Sequence, residues 1–358
     1  MGVDKIRFYH DEPLFGLDIG HSSIRAIQIE RTLDKPPQIQ GYGMSYFAAE
    51  AIQNGIITQP ETIATAIHQL FEKNLVGKIT SRRVACTLPT AYTFSRPMKV
   101  PPMSHEQITE AVQLEAEQYI PIPLDGLYID YEISYQDAQG LELLMVATSR
   151  KIVDSYLSLL QSLDLEPVAF EPSISAASRL LKILGDTGSE PSILIDIGSV
   201  ATDIAVFDKT LQVSSNVNGG ADTFTQSIAK ALHVSNEQAL ELKNQYGIAY
   251  SDKQQRIIDA IKPQLEALVH EIGKSQRYYS ERGDKSGRKI SRVITIGGGA
   301  VMPGLNQYLS KQLRLPTDYL EPWSKITFGS LAEPSEMDRS MYITAAGEAI
   351  LDPKEVTA

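Results

Sequence analysis

A single cysteine, Cys86, stands among 358 residues, so neither an internal disulfide framework nor a cysteine metal cage can hold this chain together. In "RRVACTL" it reads as a small buried hydrophobe. Cations are also in deficit: 33 Lys and Arg against 44 Asp and Glu give a formal net charge of −11. That balance excludes broad electrostatic capture of nucleic acid or anionic lipid as the main activity, because both need clustered positive charge. No run approaches the ~18 apolar residues of a bilayer-spanning helix. The opening "MGVDKIRFYHDEP" lacks the apolar segment of a signal peptide, and Ile6 breaks the myristoylation pattern. A cytoplasmic location is the expectation. The six histidines (His10, His21, His68, His105, His233 and His270) show no H-x-x-H pairing, so no zinc site is expected. There is no G-x-S-x-G elbow, and the G-K-S of "LVHEIGKSQ" is no P-loop, since Leu268 stands where its first glycine belongs.

What is present is an ordinary globular composition, 42% hydrophobic and 22% charged, in a chain too long for one core of modal size. Two stretches repeat one design. "FGLDIGHSSIRAIQIER", from Phe15, and "SILIDIGSVATDIAVFD", from Ser192, are each an apolar strand, a D-x-G turn, small polar residues and an alternating strand. Asp18 falls on Asp196, Ile19 on Ile197 and Gly20 on Gly198. Two copies imply two similar half-domains facing one another. The glycine permits a sharp turn whose successive N–H groups, with Ser22, Ser23 and Ser199, can converge on an anion. An aspartate beside such a turn repels phosphate unless a divalent cation lies between them, so Asp18 and Asp196 read as partners, through water, of one Mg²⁺. A third stretch, "ITIGGGAVMPGL", places Gly297, Gly298 and Gly299 at a strand-to-helix turn whose bare backbone admits a flat ring and a phosphate.

Between the repeats, five prolines bracket one helix in "SRPMKVPPMSHEQITEAVQLEAEQYIPIP". Ser104 with Gln107 forms a capping box, and Ile120 before Pro121 marks the stop. With the strands "LYIDYEIS" and "LELLMVATS" and a helix from Lys151 to Leu163, residues from about Tyr92 to Glu166 predict an inserted βαββαβ-like unit. The spacing of Ile63, Ala66, Ile67 and Leu70 predicts another helix. The segment from Ala221 to about Gly287 reads as mostly helical, and the chain ends in a helix from Met341 with a short polar tail.

The three glycine-bearing elements, in this order, resemble the phosphate 1, phosphate 2 and adenosine motifs of the actin, sugar kinase and heat-shock chaperone ATPase superfamily. Within it, "GLDIGHSSIRAIQI", "EQYIPIPLDGLYIDYEI", "ILIDIGSVATDIAVF", "NGGADTFTQSIA" and "ITIGGGAVMPGL" resemble the type IV pilus assembly PilM family, near full length, with the FtsA division proteins as relatives. The resemblance implies an α/β, actin-like (ribonuclease H-like) fold of duplicated half-domains around a nucleotide cleft. Residues 1–91 would begin subdomain 1A, 92–166 form the inserted FtsA-type (SHS2-like) subdomain 1C, and 167–189 return to 1A. Residues 190–222 would begin 2A, 223–288 form 2B, 289–340 complete 2A, and 341–358 form a C-terminal helix returning to 1A.

It also implies ATP and Mg²⁺ as ligands. Asp18, Gly20, His21, Ser22, Ser23 and Arg25 would form phosphate 1, with Arg25 in place of the lysine of actin, a change that adds a bidentate fork. Asp196, Gly198, Ser199 and Thr202 would form phosphate 2. Here Ser199 replaces an acid of actin, which predicts at most slow ATPase activity. Gly219 and Gly220 would line the cleft, Lys243 would touch ribose or base although Leu240 replaces its glutamate partner, and Gly297, Gly298 and Gly299 would receive the adenosine. Glu171 would polarise the water as the catalytic acid. The family's partner is the cytoplasmic N-terminal tail of the membrane protein PilN, received in a groove between the insertion and the first half-domain, with apolar strands around Pro97 to Val100 available as walls. Motor ATPases and ring or filament self-assembly are further implied partners. No nucleic acid is expected, and membrane contact would come through partners at the inner membrane. A small-molecule kinase of the same superfamily and an FtsA-type division protein are the alternative readings. No acid recognisably serves a sugar hydroxyl, and the ending "LDPKEVTA" is not the basic amphipathic helix of FtsA.

Overall fold

The computed structural model describes residues 13–31, 35–137, 140–184, 190–282 and 288–351; the ending "DPKEVTA" and the first twelve residues lie outside them. Strands β1 (Phe15–Ile19), β2 (Ser23–Glu30) and β3 (Gln38–Tyr46) form an antiparallel meander. A two-stranded ribbon, β4 (Ile52–Gln53) and β5 (Ile56–Ile57), leads to α1 (Pro60–Lys73), which starts on a proline at its first turn and buries the predicted Ile63, Ala66, Ile67 and Leu70. Then come β6 (Leu75–Gly77) and β7 (Arg83–Leu88). The insertion contains β8 (Thr93–Val100), α2 (His105–Tyr119), β9 (Leu127–Gln136), β10 (Leu141–Ser149) and α3 (Arg150–Ser162). After it, β11 (Glu166–Pro172) and α4 (Ser173–Ile183) close the first half.

The second half opens with β12 (Ser192–Ile197), β13 (Ala201–Asp208) and β14 (Thr210–Asn218). Helices α5 (Ala221–Leu232), α6 (Asn236–Gln245) and α7 (Gln254–Arg282) follow, then β15 (Arg292–Ile296), α8 (Leu305–Leu313), β16 (Thr317–Tyr319), α9 (Glu336–Arg339) and α10 (Ile343–Ala349). The first sheet runs β11-β7-β1-β2-β3-β6 and the second β14-β13-β12-β15-β16. Read outward from β1 and from β12, both have an antiparallel meander on one side and two parallel strands on the other. The two hairpins of like sequence therefore occupy equivalent places in duplicated sheets.

Between the sheets lie α4 and α10. Ile174, Ala177 and Leu180 of α4 and Ile343, Ala345 and Ala346 of α10 share one core with Ile27 and Ile39 of the first sheet and Leu194, Ala205 and Ile294 of the second. The far side of the second sheet is covered by α5 to α8. In the insertion, the capping box forms as predicted: Gln107 N–H donates to Ser104 Oγ at 3.4 Å, and Ser104 N–H donates to Gln107 Oε1 at 2.9 Å. Helix α2 ends at its cap, Ile120, and lays Ile108, Val112 and Ala116 on a three-stranded sheet ordered β8-β10-β9.

The inserted unit is βαββα, not the predicted βαββαβ. No strand after α3 joins its sheet; the next strand, β11, lies in the segment expected to return to the first half and pairs in parallel with β7 of the first sheet. Helix α3 also turns away from the insertion's sheet core, burying Ile152, Tyr156, Leu159 and Leu160 with Phe15, Leu17 and Ile63 of the first half. Cys86 lies in that same core, fully buried, and burial pushes its thiol pKa well above the usual range.

Candidate nucleotide site

Each D-x-G turn closes through one backbone hydrogen bond of the same type. Gly20 N–H donates to Ser23 O at 2.9 Å, and Gly198 N–H donates to Ala201 O at 3.0 Å. The register of the hairpins then decides what faces each aspartate. Asp18 stands opposite Arg25, whose Nη1 donates to Asp18 Oδ2 at 2.9 Å while Nη2 donates to Ser23 Oγ at 2.8 Å. Thr87 of β7 donates to the other carboxylate oxygen, also at 2.9 Å. His21 and Ser22 lie half-buried in the turn, and Ser22 O accepts the N–H of Phe47.

In the second hairpin the position equivalent to Arg25 is an acid. Asp196 stands opposite Asp203, so two carboxylates share one end of the hairpin. Burial, the charge of Asp203 and that of Asp18 raise the Asp196 pKa to about 7, and Arg25 lowers it. Burial raises Asp203 to about 6, against hydrogen bonds from Asn216 and Thr90 that favour its charged form. Met341 lies between the two halves: Arg25 Nη2 is 3.9 Å from its Sδ, and Gly298 of the second half lies against it.

The remaining predicted elements converge on the second turn. Ala221 N–H donates to Gly198 O and Asp222 N–H to Ser199 O, both at 2.9 Å, and Thr202 Oγ1 donates to Gly219 O at 3.0 Å. The start of α5 is thereby fastened to the second turn. A Cβ on Gly220 would stand 2.2 Å from Gly198 O, so only glycine permits this approach. Gly297, at φ +85°, lays its backbone against the aspartate: a Cβ there would stand 2.3 Å from Asp196 Oδ1. Gly299 N–H donates to Ile197 O at 2.9 Å, and Gly298 lies against Met341. Lys243 is buried behind this arrangement, where its Nζ donates to Ala221 O at 3.1 Å. It holds the first turn of α5.

Glu171 is engaged elsewhere. Both its oxygens accept from Arg179, at 2.6 and 2.8 Å, and Arg179 also donates to Gly347 O. Beside it, fully buried Glu348 is pushed well above the carboxylate range by burial and then by Glu171. This cluster fastens α10 to β11. Glu171→Ala should therefore lower the melting temperature, at a cost approaching the ~3 kcal/mol of breaking a largely buried ion pair, with nucleotide affinity retained; thermal melts and calorimetry on the same variant check both. A further acid beside Asp196 is Asp203. Its signal is in the sequence: it lies seven residues after Asp196, as Arg25 lies seven after Asp18.

Mg²⁺ and a nucleotide fit the residues present. The two turns offer backbone N–H groups, and Asp196 and Asp203 form a like-charged pair that a cation would relieve. Among the described residues no group of three or more His, Cys, Asp or Glu could hold a metal.

The sequence matches the family model for type IV pilus assembly protein PilM over residues 16–352. The cell division protein FtsA of Bacillus subtilis is 22% identical over 343 residues, which cover 83% of this chain and 76% of FtsA. Among solved structures, a PilM–PilN type IV pilus biogenesis complex superimposes with a TM-score of 0.81 at 22% identity, covering 95% of this chain and 98% of that one. MreB5 of Spiroplasma citri bound to ADP gives a TM-score of 0.54 at 11% identity, covering 97% and 98%. The fold is thus actin-like, and the chain belongs to the PilM family of type IV pilus assembly proteins.

Proposed function

We propose that this protein binds Mg-ATP between its two halves and serves pilus assembly by binding the cytoplasmic N-terminal tail of PilN. The observation that carries the reading is the pairing of the hairpins: Asp196 faces Asp203 in one half, Asp18 faces Arg25 in the other, and Met341 lies between Arg25 and Gly298. Such a site holds phosphates by turn N–H groups and by Arg25, and keeps the cation on the acid side. Bound Mg²⁺ would neutralise phosphate charge and relieve the repulsion between Asp196 and Asp203.

Turnover is slow in this reading. Ser199 offers no carboxylate near the phosphates, Glu171 is held by Arg179, and Asp203 is the acid left to orient water. Its bond from Asn216 Nδ2 at 2.6 Å fixes the carboxylate. Motor ATPases and further copies in rings or filaments are proposed partners. No described helix is long and apolar enough to cross a membrane. A peripheral place on the cytoplasmic face of the inner membrane, reached through PilN, fits that observation.

The wall strand near Pro97 lines a cavity that opens toward β14 and α7 of the second half. The PilN groove is proposed on another surface, between the insertion and the first half. Fluorescence polarisation with a labelled PilN N-terminal peptide tests the partner. Saturable binding that responds to Mg-ATP supports the reading; absence of binding with and without nucleotide refutes it.

A further inference from the structure

The two hairpins set opposite chemistry beside their aspartates. Asp18 is buried with both carboxylate oxygens engaged: Oδ1 accepts from Thr87 and Oδ2 from Arg25, each at 2.9 Å. Thr87 belongs to β7 and Arg25 to β2, the strands on either side of β1, so the carboxylate is fixed from both flanks. In the second hairpin the residue opposite the aspartate is Asp203, a second acid.

The guanidinium of Arg25 is seated in the first turn. A Cβ on Gly20 would stand 3.3 Å from Arg25 Nη1, so the fork lies against bare backbone. Asp18 holds Nη1 and Ser23 Oγ holds Nη2, with Met341 Sδ 3.9 Å from Nη2. A guanidinium carries more N–H donors than these three contacts use. Donors therefore remain for a phosphate, in a plane that Asp18 and Ser23 set. A divalent cation has the contrary preference. Beside Asp18 it would meet the positive charge already paired with that carboxylate, whereas beside Asp196 it meets the further negative charge of Asp203.

We propose that Asp18 serves the nucleotide through Arg25, as the positioning residue that seats its fork in the first turn, and that Asp196 and Asp203 alone supply carboxylates to the cation. The inference rests on the nucleotide reading of the cleft and divides its labour: the first hairpin holds phosphate and the second holds the metal. The spacing of a D-x-G turn treats Asp18 and Asp196 alike; the side chain folded back onto each one separates them.

A double-mutant cycle on the full chain tests this, with Mg-ATP affinity read by calorimetry. Asp18→Asn should weaken binding severalfold by loosening the fork, and Arg25→Gln should weaken it roughly tenfold or more. In Arg25→Gln, Asp18 is left as an uncompensated charge beside the turn, so adding Asp18→Asn should restore affinity or leave it unchanged. A double variant that binds more weakly than Arg25→Gln shows Asp18 acting on the cation itself and overturns the inference. Thermal melts establish that each variant is folded at the assay temperature. If Arg25→Gln does not fold, Arg25→Lys, which keeps the charge and loses the fork, takes its place: there Asp18→Asn should cost less than it costs the wild type, and an equal or larger cost overturns the inference. With Mn²⁺ and ADP as the probe, the paramagnetic resonance spectrum of the bound metal should change in Asp196→Asn and persist in Asp18→Asn; a spectrum altered by Asp18→Asn is contrary. Each of these failures leaves the nucleotide site standing. A wild type that binds no Mg-ATP overturns the cleft reading and the inference with it.

Discussion

Asp196→Asn is expected to weaken Mg-ATP binding at least tenfold, about 1.4 kcal/mol, and to make the nucleotide-free protein more stable above pH 7. The first effect follows from removing one of the two facing carboxylates, since a contact to a charged group contributes roughly 1.5–3 kcal/mol. The second follows from the cost of keeping that charge without a cation. The Asp196 pKa rises from 3.8 to about 7 on folding, with burial the largest cause. An acid raised in this way binds more protons folded than unfolded. Its contribution to stability is therefore full below the unfolded value and is lost as pH rises through the folded one. In EDTA, the wild-type melting temperature should fall between pH 5.5 and 8, and Asp203, raised to about 6, should act in the same direction. Asn keeps the shape and removes the titration, so the variant's curve should flatten. Thermal melts across that range check the sign: a wild-type melting temperature that rises with pH over this window contradicts the assignment.

Gly297→Ala should damage the site and the fold together. The residue sits at φ +85°, where an L side chain is strained, and the added Cβ would lie 2.3 Å from Asp196 Oδ1 and 2.7 Å from Ile197 O. The backbone conformation alone costs about 1–2 kcal/mol. The displaced loop would lose the bond from Gly299 N–H to Ile197 O, and Asp196 would be driven from its place. A melting temperature lowered by several degrees and Mg-ATP affinity down more than tenfold are expected. Gly298→Ala is the control. It has no positive φ, and its Cβ would meet the flexible end of Met341 at 3.2 Å, so it should be far milder in the melting assay.

The parts of this architecture that depend on local pattern were legible before any coordinates. Alternating apolar strands about a D-x-G turn identify the duplicated hairpins, and Ser104, Gln107 and Pro121 delimit α2. What escaped depends on pairing between distant residues. The extra strand expected inside the insertion is missing: the strand after α3 is β11, which pairs with β7, far away in sequence. Glu171 looks available because Arg179, eight residues on, reaches it only after the chain has turned from strand into helix. Lys243 reads as a ligand contact, and its bond to Ala221 O appears only when α6 packs on α5. Asp203 was within reach: antiparallel register about a closed turn sets it opposite Asp196, as Arg25 is set opposite Asp18.

The account stands on one claim, that both hairpins grip a single magnesium-bound nucleotide. Calorimetric titration of the full chain with ATP, in Mg²⁺ and again in EDTA, addresses it directly. It predicts one site per chain in Mg²⁺, with affinity lost on chelation and reduced by Asp18→Asn as well as by Asp196→Asn. Equal affinity in EDTA, or a variant of either aspartate that binds as the wild type does, would contradict it.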